Sequence, residues 1–158
     1  MPDRVVDRLL IQEVLHRYAW ALDGGDPGVL ADCFTHDVRA EYAGEQLAPG
    51  RQAILDYTGA RMEAVEVTTH AVSNVVIRFD DGAEADVDSI AMVALREVVD
   101  GQERVRLRGI QYADHFRCEE GRWRIAARRH LPLWEAEMPS TGMLPHELVP
   151  AAGAVARR

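Results

Sequence analysis

Apolar residues recur at helical spacing through the first part of the chain. Between residues 3 and 22 they form two neighbouring rows, which together make the wide apolar stripe of a helix packed on a core. The rows consist of Val6, Leu10 and Val14, and of Ile11, Leu15, Tyr18 and Leu22. Gly24 and Gly25 follow directly and predict the end of this helix.

Two shorter helices are predicted after the first. Asp26 and Pro27 are the residue types favoured at a helix N-cap and at the first helical position. They predict a second helix over residues 29–34. A third helix is predicted over residues 51–64, and residues 38–42 between the two predict a short strand.

The pattern then changes to long β-branched segments separated by tight turns. Four strands are predicted, over residues 67–79, 85–99, 105–118 and 123–133. Turn signals such as Asp100-Gly101 join them into an antiparallel meander. Pro132 limits the last strand to a sheet edge or a bulge at that point.

Helices followed by a curled antiparallel sheet make an α+β domain. Such a sheet can wrap around three N-terminal helices as a cone and enclose one pocket, mostly apolar with a few polar groups. We expect this domain to cover residues 1–138. Residues 139–158 are rich in Pro, Gly and Ala, and we expect them to form a lid over the pocket or to be disordered.

Charge and composition exclude several classes of partner. The 158 residues carry a formal net charge of −8, which argues against nucleic acid and against an anionic membrane surface. The two cysteines, Cys33 and Cys118, form no CxxC motif, and no secretory signal or apolar span is present. We therefore expect a cytoplasmic protein with reduced thiols.

Motifs for cofactors and metals are absent from the sequence. It contains no GxGxxG, P-loop, GxSxG or HExxH pattern, and its six histidines lack metal-ligand spacing. We therefore expect no metal and no cofactor. The function classes that remain are proton-transfer chemistry without a cofactor and simple ligand binding.

Asp23 is the first candidate for such chemistry. It falls at the C-terminal end of the first predicted helix, where the macrodipole disfavours a carboxylate by roughly 0.3–1 kcal/mol. A compensating partner would explain its presence. The alternative is a solvated turn aspartate before two glycines.

His70 is the second candidate. It lies within a predicted strand and shares a face with Thr68, Val72 and Asn74. A neutral imidazole can act as a base near pH 7, and a carboxylate would fix its tautomer. The alternative is a core histidine bonded to a backbone carbonyl.

Two tyrosines and one of two adjacent arginines could complete a site. Tyr18 lies on the apolar stripe and Tyr112 in mid-strand, where buried hydroxyls usually find a partner. Strict alternation lets only Arg128 or Arg129 point inward. One face would carry Trp123, Ile125, Ala127 and Arg129, and the other Arg124, Ala126, Arg128 and His130. Periodicity alone does not decide which face is internal.

An ordered set of short motifs resembles the SnoaL-like domains of the nuclear transport factor 2-like superfamily. The opening I-x-[DE]-x-x-x-x-Y-x-x-x-x-D-x-x-D is present as Ile11, Glu13, Tyr18, Asp23 and Asp26. Later elements of the set are Phe34, Asp37, Gly50, His70, Asn74, Tyr112, Asp114, Gly121, Trp123, Arg124, Ile125, Arg128, Arg129 and Trp134. The resemblance runs from about residue 4 to residue 138.

The pattern is most similar to the group of scytalone dehydratase, bile-acid 7α-dehydratase and hexachlorocyclohexane dehydrochlorinase. These enzymes eliminate water or HCl with a histidine base paired to an aspartate. The resemblance implies these roles for His70 and Asp23. It implies that Tyr18 matches a tyrosine of the bile-acid enzyme and Arg128 a pocket arginine, which would place His130 inward too.

On this basis we expect a cofactor-independent lyase or isomerase acting on a small, cyclic or polycyclic hydrophobic substrate. His70 would abstract a proton, Asp23 would orient it, and Tyr18, Tyr112 or Arg128 would support the departing oxygen or an enolate. Substrate-binding positions are expected at Tyr112, His130, Asn74 and Asp88. We expect a homodimer or homotrimer. The alternatives are a polyketide-type cyclase of secondary metabolism, which would use an aspartate as acid or base, and a non-catalytic ligand-binding or assembly subunit.

Overall fold

Helices at the start of the chain bury an apolar stripe against the sheet. The computed structural model describes residues 4–62, 65–80 and 82–140, and its helices are α1 (Val5–Gly24), α2 (Pro27–Asp32) and α3 (Arg51–Met62). The predicted stripe of α1 is buried from Ile11 to Leu22, whereas Val6 and Leu10 are exposed. No helix in these ranges is long and apolar enough to cross a membrane.

The sheet is mixed rather than wholly antiparallel. Its order is β2-β1-β6-β5-β4-β3, and β1 runs parallel to β6 with Tyr42 opposite His130. The other neighbouring pairs are antiparallel. The strands are β1 (Phe34–Tyr42), β2 (Glu45–Gln46), β3 (Val65–Phe79), β4 (Glu84–Val99), β5 (Gln102–Glu119) and β6 (Arg122–Pro139). The predicted α+β class, with a curled sheet and N-terminal helices, is confirmed, and the four long strands form the predicted antiparallel meander. The short strand β1 adds a parallel pair with β6 that was not predicted.

The second helix has the predicted length but lies two residues earlier in the chain than predicted. Asp26 caps it by accepting a hydrogen bond from the backbone N–H of Val29, and Pro27 opens it, as the sequence indicated. The helix ends at Asp32, however, and Phe34 already begins β1. Phe34 is fully buried in either arrangement, so its apolar character did not distinguish helix from strand.

Pro132 lies within β6, which runs six residues further than predicted, to Pro139. The register between β5 and β6 shifts beside it, since Ile110 faces Pro132 while Gly109 faces Trp134. The pairing with β1 ends at His130, so β5 is the one neighbour of β6 here within the part of the chain that the structure describes. Pro132 therefore occupies both a bulge and a free edge, as expected for a residue that cannot donate to the ladder.

A second irregularity in β6 reverses which residues face inward. Phe116 pairs with Ile125 and His115 with Ala127, which leaves Ala126 as an extra residue. Ile125 on one side of this bulge and Arg128 on the other are therefore both buried. The prediction that strict alternation would place them on opposite faces is wrong.

The predicted tail lies almost wholly outside the described residues. Pro139 closes β6, the backbone N–H of Ser140 donates to Glu103 at 3.1 Å, and residues 141–158 are not described. The division at residue 139 and the lid or disorder expected beyond it stay predictions.

Candidate active site

A cavity of about 820 Å³ opens between helices α1 and α3 and the inner face of the sheet. This volume falls within the range of small-molecule sites. Its wall combines aliphatic side chains with four tyrosines, two histidines and a set of charged residues. The tyrosines are Tyr18, Tyr42, Tyr57 and Tyr112, and the histidines are His70 and His130.

Asp23 and His70 meet at the edge of this cavity. Asp23 Oδ1 lies 2.6 Å from His70 Nδ1, and Asp23 Oδ2 accepts the backbone N–H of His70 at 2.9 Å. The imidazole is almost entirely buried, with 6% of its side chain exposed, against 19% for Asp23. The hydrogen bond expected between these two residues is therefore present.

The contact fixes the tautomer of His70. A carboxylate can only accept hydrogen bonds, so Nδ1 carries the proton and Nε2 of the neutral ring keeps its lone pair. Thr68 Oγ1 lies 3.3 Å from the same Nδ1. Nε2 makes no hydrogen bond to any described residue, and His70 lines the cavity, so Nε2 is the atom available to a ligand.

The same contact explains a carboxylate at the wrong end of a helix. Asp23 lies in the last turn of α1, which Gly25 closes in the left-handed conformation (φ 66°) with its N–H directed at Leu22 and Ala21 carbonyls. Two N–H donors from His70 compensate the unfavourable position.

Tyrosine hydroxyls gather beside the pair. The hydroxyl of Tyr18 lies 3.3 Å from that of Tyr42, and the rings of Tyr18 and Tyr112 meet edge to face at 5.8 Å. Burial raises the pKa of Tyr42 and of Tyr112 well above the ordinary range, and the neighbouring Tyr18 hydroxyl raises both pKa values further. These phenols are therefore protonated donors at neutral pH.

Tyr42 was not singled out from the sequence. It is the last residue of β1 and enters the site because β1 runs beside β6. The alternation of apolar Val38, Ala40 and Tyr42 with polar residues was a usable signal, since it marks one inward face of a strand.

Arg128 lies beneath the cavity wall instead of on it. Its Nε and one terminal amine donate to the two oxygens of Asp114 at 2.8 and 2.7 Å, and neither side chain is exposed. The guanidinium carbon lies 4.1 Å from the centre of the Tyr18 ring and 4.2 Å from that of Tyr112. Burial alone would lower the pKa of Arg128, but the Asp114 carboxylate overcomes this and holds the pKa well above the ordinary range. Arg128 was expected to contact the substrate, but it does not line the cavity. It packs behind the rings of Tyr18 and Tyr112 instead.

His130 faces the cavity from β6. Its ring stacks on Tyr42 at 5.0 Å, and its buried Nδ1 has no hydrogen-bond partner among the described residues. Burial, together with the charges of Arg128 and Arg108, lowers the pKa of His130 from 6.5 to about 4. The ring is therefore neutral at pH 7 and offers one donor and one acceptor.

Two residues expected to bind substrate lie away from the cavity. Asn74 is exposed, with φ 52°, where the β3–β4 register shifts, so the bulge removes it from the face of His70. Asp88 lies on the outer face, since its neighbours Val87 and Ser89 are buried, and it pairs with Arg78. Both assignments are corrected by these positions.

Two further observations concern possible metal ligands and the cysteine thiols. The described ranges hold no group of three or more His, Cys, Asp or Glu side chains arranged to bind a metal ion. Cys33 and Cys118 are free, and burial raises the pKa of Cys33 to about 11, which makes that thiol a poor nucleophile.

The family model of the SnoaL-like domain matches residues 3–129. The chain belongs to the SnoaL-like family. The resemblance carried by the motifs of α1, β3 and β6 is thereby confirmed, and the fold is that of the nuclear transport factor 2-like superfamily. No curated protein matches the chain.

Solved structures similar to this SnoaL-like domain cover nearly all of it. A protein from Novosphingobium aromaticivorans named as a "putative scytalone dehydratase" is 24% identical, with a TM-score of 0.78 over 95% of this chain and 100% of that one. The LinA-type3 hexachlorocyclohexane dehydrochlorinase of Novosphingobium barchaimii is 16% identical, with a TM-score of 0.79 over 90% and 97% of the two chains. Rv3472 of Mycobacterium tuberculosis, described as of unknown function, is 28% identical, with a TM-score of 0.72 over 84% and 76%.

Proposed function

We propose that this SnoaL-like domain is a cofactor-independent lyase of the dehydratase type. The observation that carries the proposal is the His70–Asp23 pair, in which Nδ1 is held at 2.6 Å by the carboxylate while the ring lines the cavity. A histidine held in this way is equipped to remove a proton from a bound carbon acid.

His70 is the base in this reaction. Its Nε2 takes a proton from a carbon next to a carbonyl group, and the electron pair of that C–H bond forms the new double bond as the bond to the leaving group breaks. Asp23 stabilises the imidazolium that results. General base help of this kind contributes roughly 10²- to 10⁴-fold to the rate.

Tyrosine hydroxyls assist the leaving group. Tyr42 and Tyr112 remain protonated because burial raises their pKa values, so either can donate to a departing hydroxyl or to an enolate oxygen. The proton taken up by His70 then passes to the tyrosinate and restores the donor hydroxyl. The leaving group departs as water. Arg128, held by Asp114 between the rings of Tyr18 and Tyr112, keeps a positive charge close to the developing oxyanion.

The cavity supplies orientation. Its volume of about 820 Å³ accommodates a cyclic or polycyclic substrate, and its aromatic wall offers flat contact surfaces beside the base. Positioning of the reacting carbon supplies the remainder of the rate acceleration. Similarity in fold to structures named as a scytalone dehydratase and a dehydrochlorinase supports elimination chemistry.

The alternative within the same chemistry is an isomerase or a polyketide-type cyclase. The three tyrosines support it, because their hydroxyls could hold an enolate without any leaving group. The His70–Asp23 contact supports the lyase instead, since a cyclase with an aspartate as acid or base has no need of this contact.

The test is turnover of a panel of β-hydroxy ketones and polycyclic hydroxy ketones, followed by the absorbance of the conjugated product. His70→Ala should lower kcat by about 10²- to 10⁴-fold while binding persists. Asp23→Asn should do the same, because the amide can present an N–H to Nδ1 and favour the wrong tautomer. His36→Ala, at an exposed position outside the cavity, is the matched control. A folded His70→Ala variant that turns over at the wild-type rate disproves the mechanism.

A further inference from the structure

Arg108 and His70 belong to one row of inward-facing residues that crosses four strands. The register pairs His70 with Val93, Val93 with Arg108 and Arg108 with Glu135. All four residues line the cavity. With strands about 4.8 Å apart, the backbones at His70 and Arg108 are separated by roughly 10 Å, so the two side chains can reach different parts of one bound molecule.

Arg108 has hydrogen-bond donors that no described residue accepts from. Its Nε donates to Glu135 at 2.6 Å, and neither terminal amine has a partner within 3.5 Å among the described residues. The side chain is 36% exposed at the cavity wall. A guanidinium carries five N–H donors in a planar fork that matches a carboxylate, so the end of this fork is open to a ligand.

Arg106, two residues earlier on the same face, differs in this respect. One terminal amine lies 2.8 Å from Glu97, and its Nε lies 3.9 Å from Glu135 and 3.7 Å from Glu137. Arg106 is thus surrounded by carboxylates, whereas Arg108 has one. Both arginines lie on the inner face of β5 and line the cavity. Of the two, only Arg108 has both terminal amines without a partner among the described residues.

The positive charge of Arg108 acts on His130, a group inside the cavity. After burial and Arg128, it is the next group that lowers the pKa of His130. His130 also lines the cavity, and its buried Nδ1 has no partner among the described residues. A neutral imidazole and an open guanidinium therefore flank the region opposite His70, and both can bind oxygen atoms.

We propose that Arg108 is the specificity-determining residue of this cavity and binds a carboxylate on a cyclic substrate whose reacting carbon lies beside His70. The inference deepens the proposed lyase function, on which it rests only for the position of the reacting carbon. It narrows the substrate class from hydrophobic ring compounds to ring carboxylic acids.

The test measures binding rather than turnover. The probes are 2-naphthoate and its neutral analogue 2-naphthamide, titrated calorimetrically into the wild-type protein at low and high salt. Naphthoate should bind roughly tenfold more tightly, the worth of one charge-assisted hydrogen bond, and only its affinity should fall with salt. Equal binding of the two probes, or binding of neither, overturns the proposal.

Variants assign the preference to one residue. Arg108→Met should reduce the ratio of the two affinities to about one, Arg108→Lys should keep part of it, and Arg106→Met should keep it whole. Because Arg108→Met leaves Glu135 unpaired, Arg108→Met/Glu135→Gln is needed as well. If this double variant regains the wild-type ratio, repulsion by Glu135 caused the loss and the proposal is wrong.

The same titrations in the His70→Ala protein separate the two proposals. An inactive His70→Ala variant that still prefers naphthoate supports both. An active His70→Ala variant that prefers naphthoate contradicts only the mechanism, and an inactive one without the preference contradicts only the carboxylate site.

Discussion

Asp23 holds His70 at two points, and each contact has its own consequence. The bond from the backbone N–H of His70 to Oδ2, at 2.9 Å, ties strand β3 to the end of helix α1. The bond from Nδ1 to Oδ1, at 2.6 Å, orients the ring. One carboxylate thus positions both the strand and the imidazole that the strand carries.

Arg128 and Asp114 form a buried pair whose main contribution is to stability. Both side chains are wholly inaccessible and bonded to each other through two contacts. Arg128→Met should lower the free energy of unfolding by about 3–5 kcal/mol, because it leaves the Asp114 carboxylate buried and unpaired. Urea denaturation measures the loss. Arg128→Met/Asp114→Leu should recover part of it, and a single variant as stable as the wild type would contradict the prediction.

His130 should make the protein sensitive to acid. Burial lowers its pKa to about 4 in the folded state, whereas the unfolded residue titrates near 6.5. Between these values the unfolded chain binds more protons, so His130 lowers stability as pH falls from about 6.5 to about 4. His130→Gln should flatten the dependence of the urea midpoint on pH in this window, and the exposed His36→Gln should leave it unchanged. An unaltered slope for His130→Gln would show that the ring is not buried as described.

Bulges decide which side chains reach the cavity. The extra residue Ala126 in β6 brings Arg128 and His130 to the inner face, and the register shift in β3 removes Asn74 from it. A bulge changes the phase of alternation by one residue, so every position beyond it changes face.

Gly109 has no side chain because an indole occupies the space. A Cβ atom built there would lie 2.3 Å from Nε1 of Trp134, which faces it across the β5–β6 pair. Gly109→Ala should therefore cost about 1–3 kcal/mol by displacing the ring. In a Trp134→Ala background the same change should be neutral or stabilising, because alanine restricts the unfolded chain. A double-mutant cycle by urea denaturation measures the coupling, and additive effects would contradict it.

The sequence predicted the local features of the fold and of the site, but not the long-range ones. Short-range rules predicted the cap at Asp26, the end of α1 at Gly25 and the four long strands. Short motifs in the sequence singled out Asp23 and His70. The parallel β1–β6 pair could not be predicted, because alternation is the same for either strand direction. Tyr42 and Arg108 were missed because the residues they contact lie on a neighbouring strand that is distant in the sequence.

The outer face of the sheet carries the apolar residues expected of an interface between copies. Met92 lies opposite Gly109 across the ladder, and Met138 lies on β6. These side chains are 41% and 44% exposed. We expect a homodimer or homotrimer through this face, because apolar surface of this kind is usually covered and homo-oligomers are usually symmetric.

Light scattering at micromolar concentration measures the assembly. Met92→Glu should shift the protein towards monomer, since the new carboxylate would be buried at the interface. Glu84→Gln, at the exposed first residue of the same strand, should not. A wild-type protein that scatters as a monomer would contradict the expectation.

The parallel pairing of β1 with β6 sets an order of events on the ribosome. β1 is complete at Tyr42, whereas its neighbour β6 begins only at Arg122. Until β6 leaves the exit tunnel, the nascent chain lacks both the His130 ring that stacks on Tyr42 and the Arg128 guanidinium behind Tyr18. A message truncated before β6 therefore yields a chain with an exposed apolar strand and an incomplete cavity, a species that chaperones and proteases recognise.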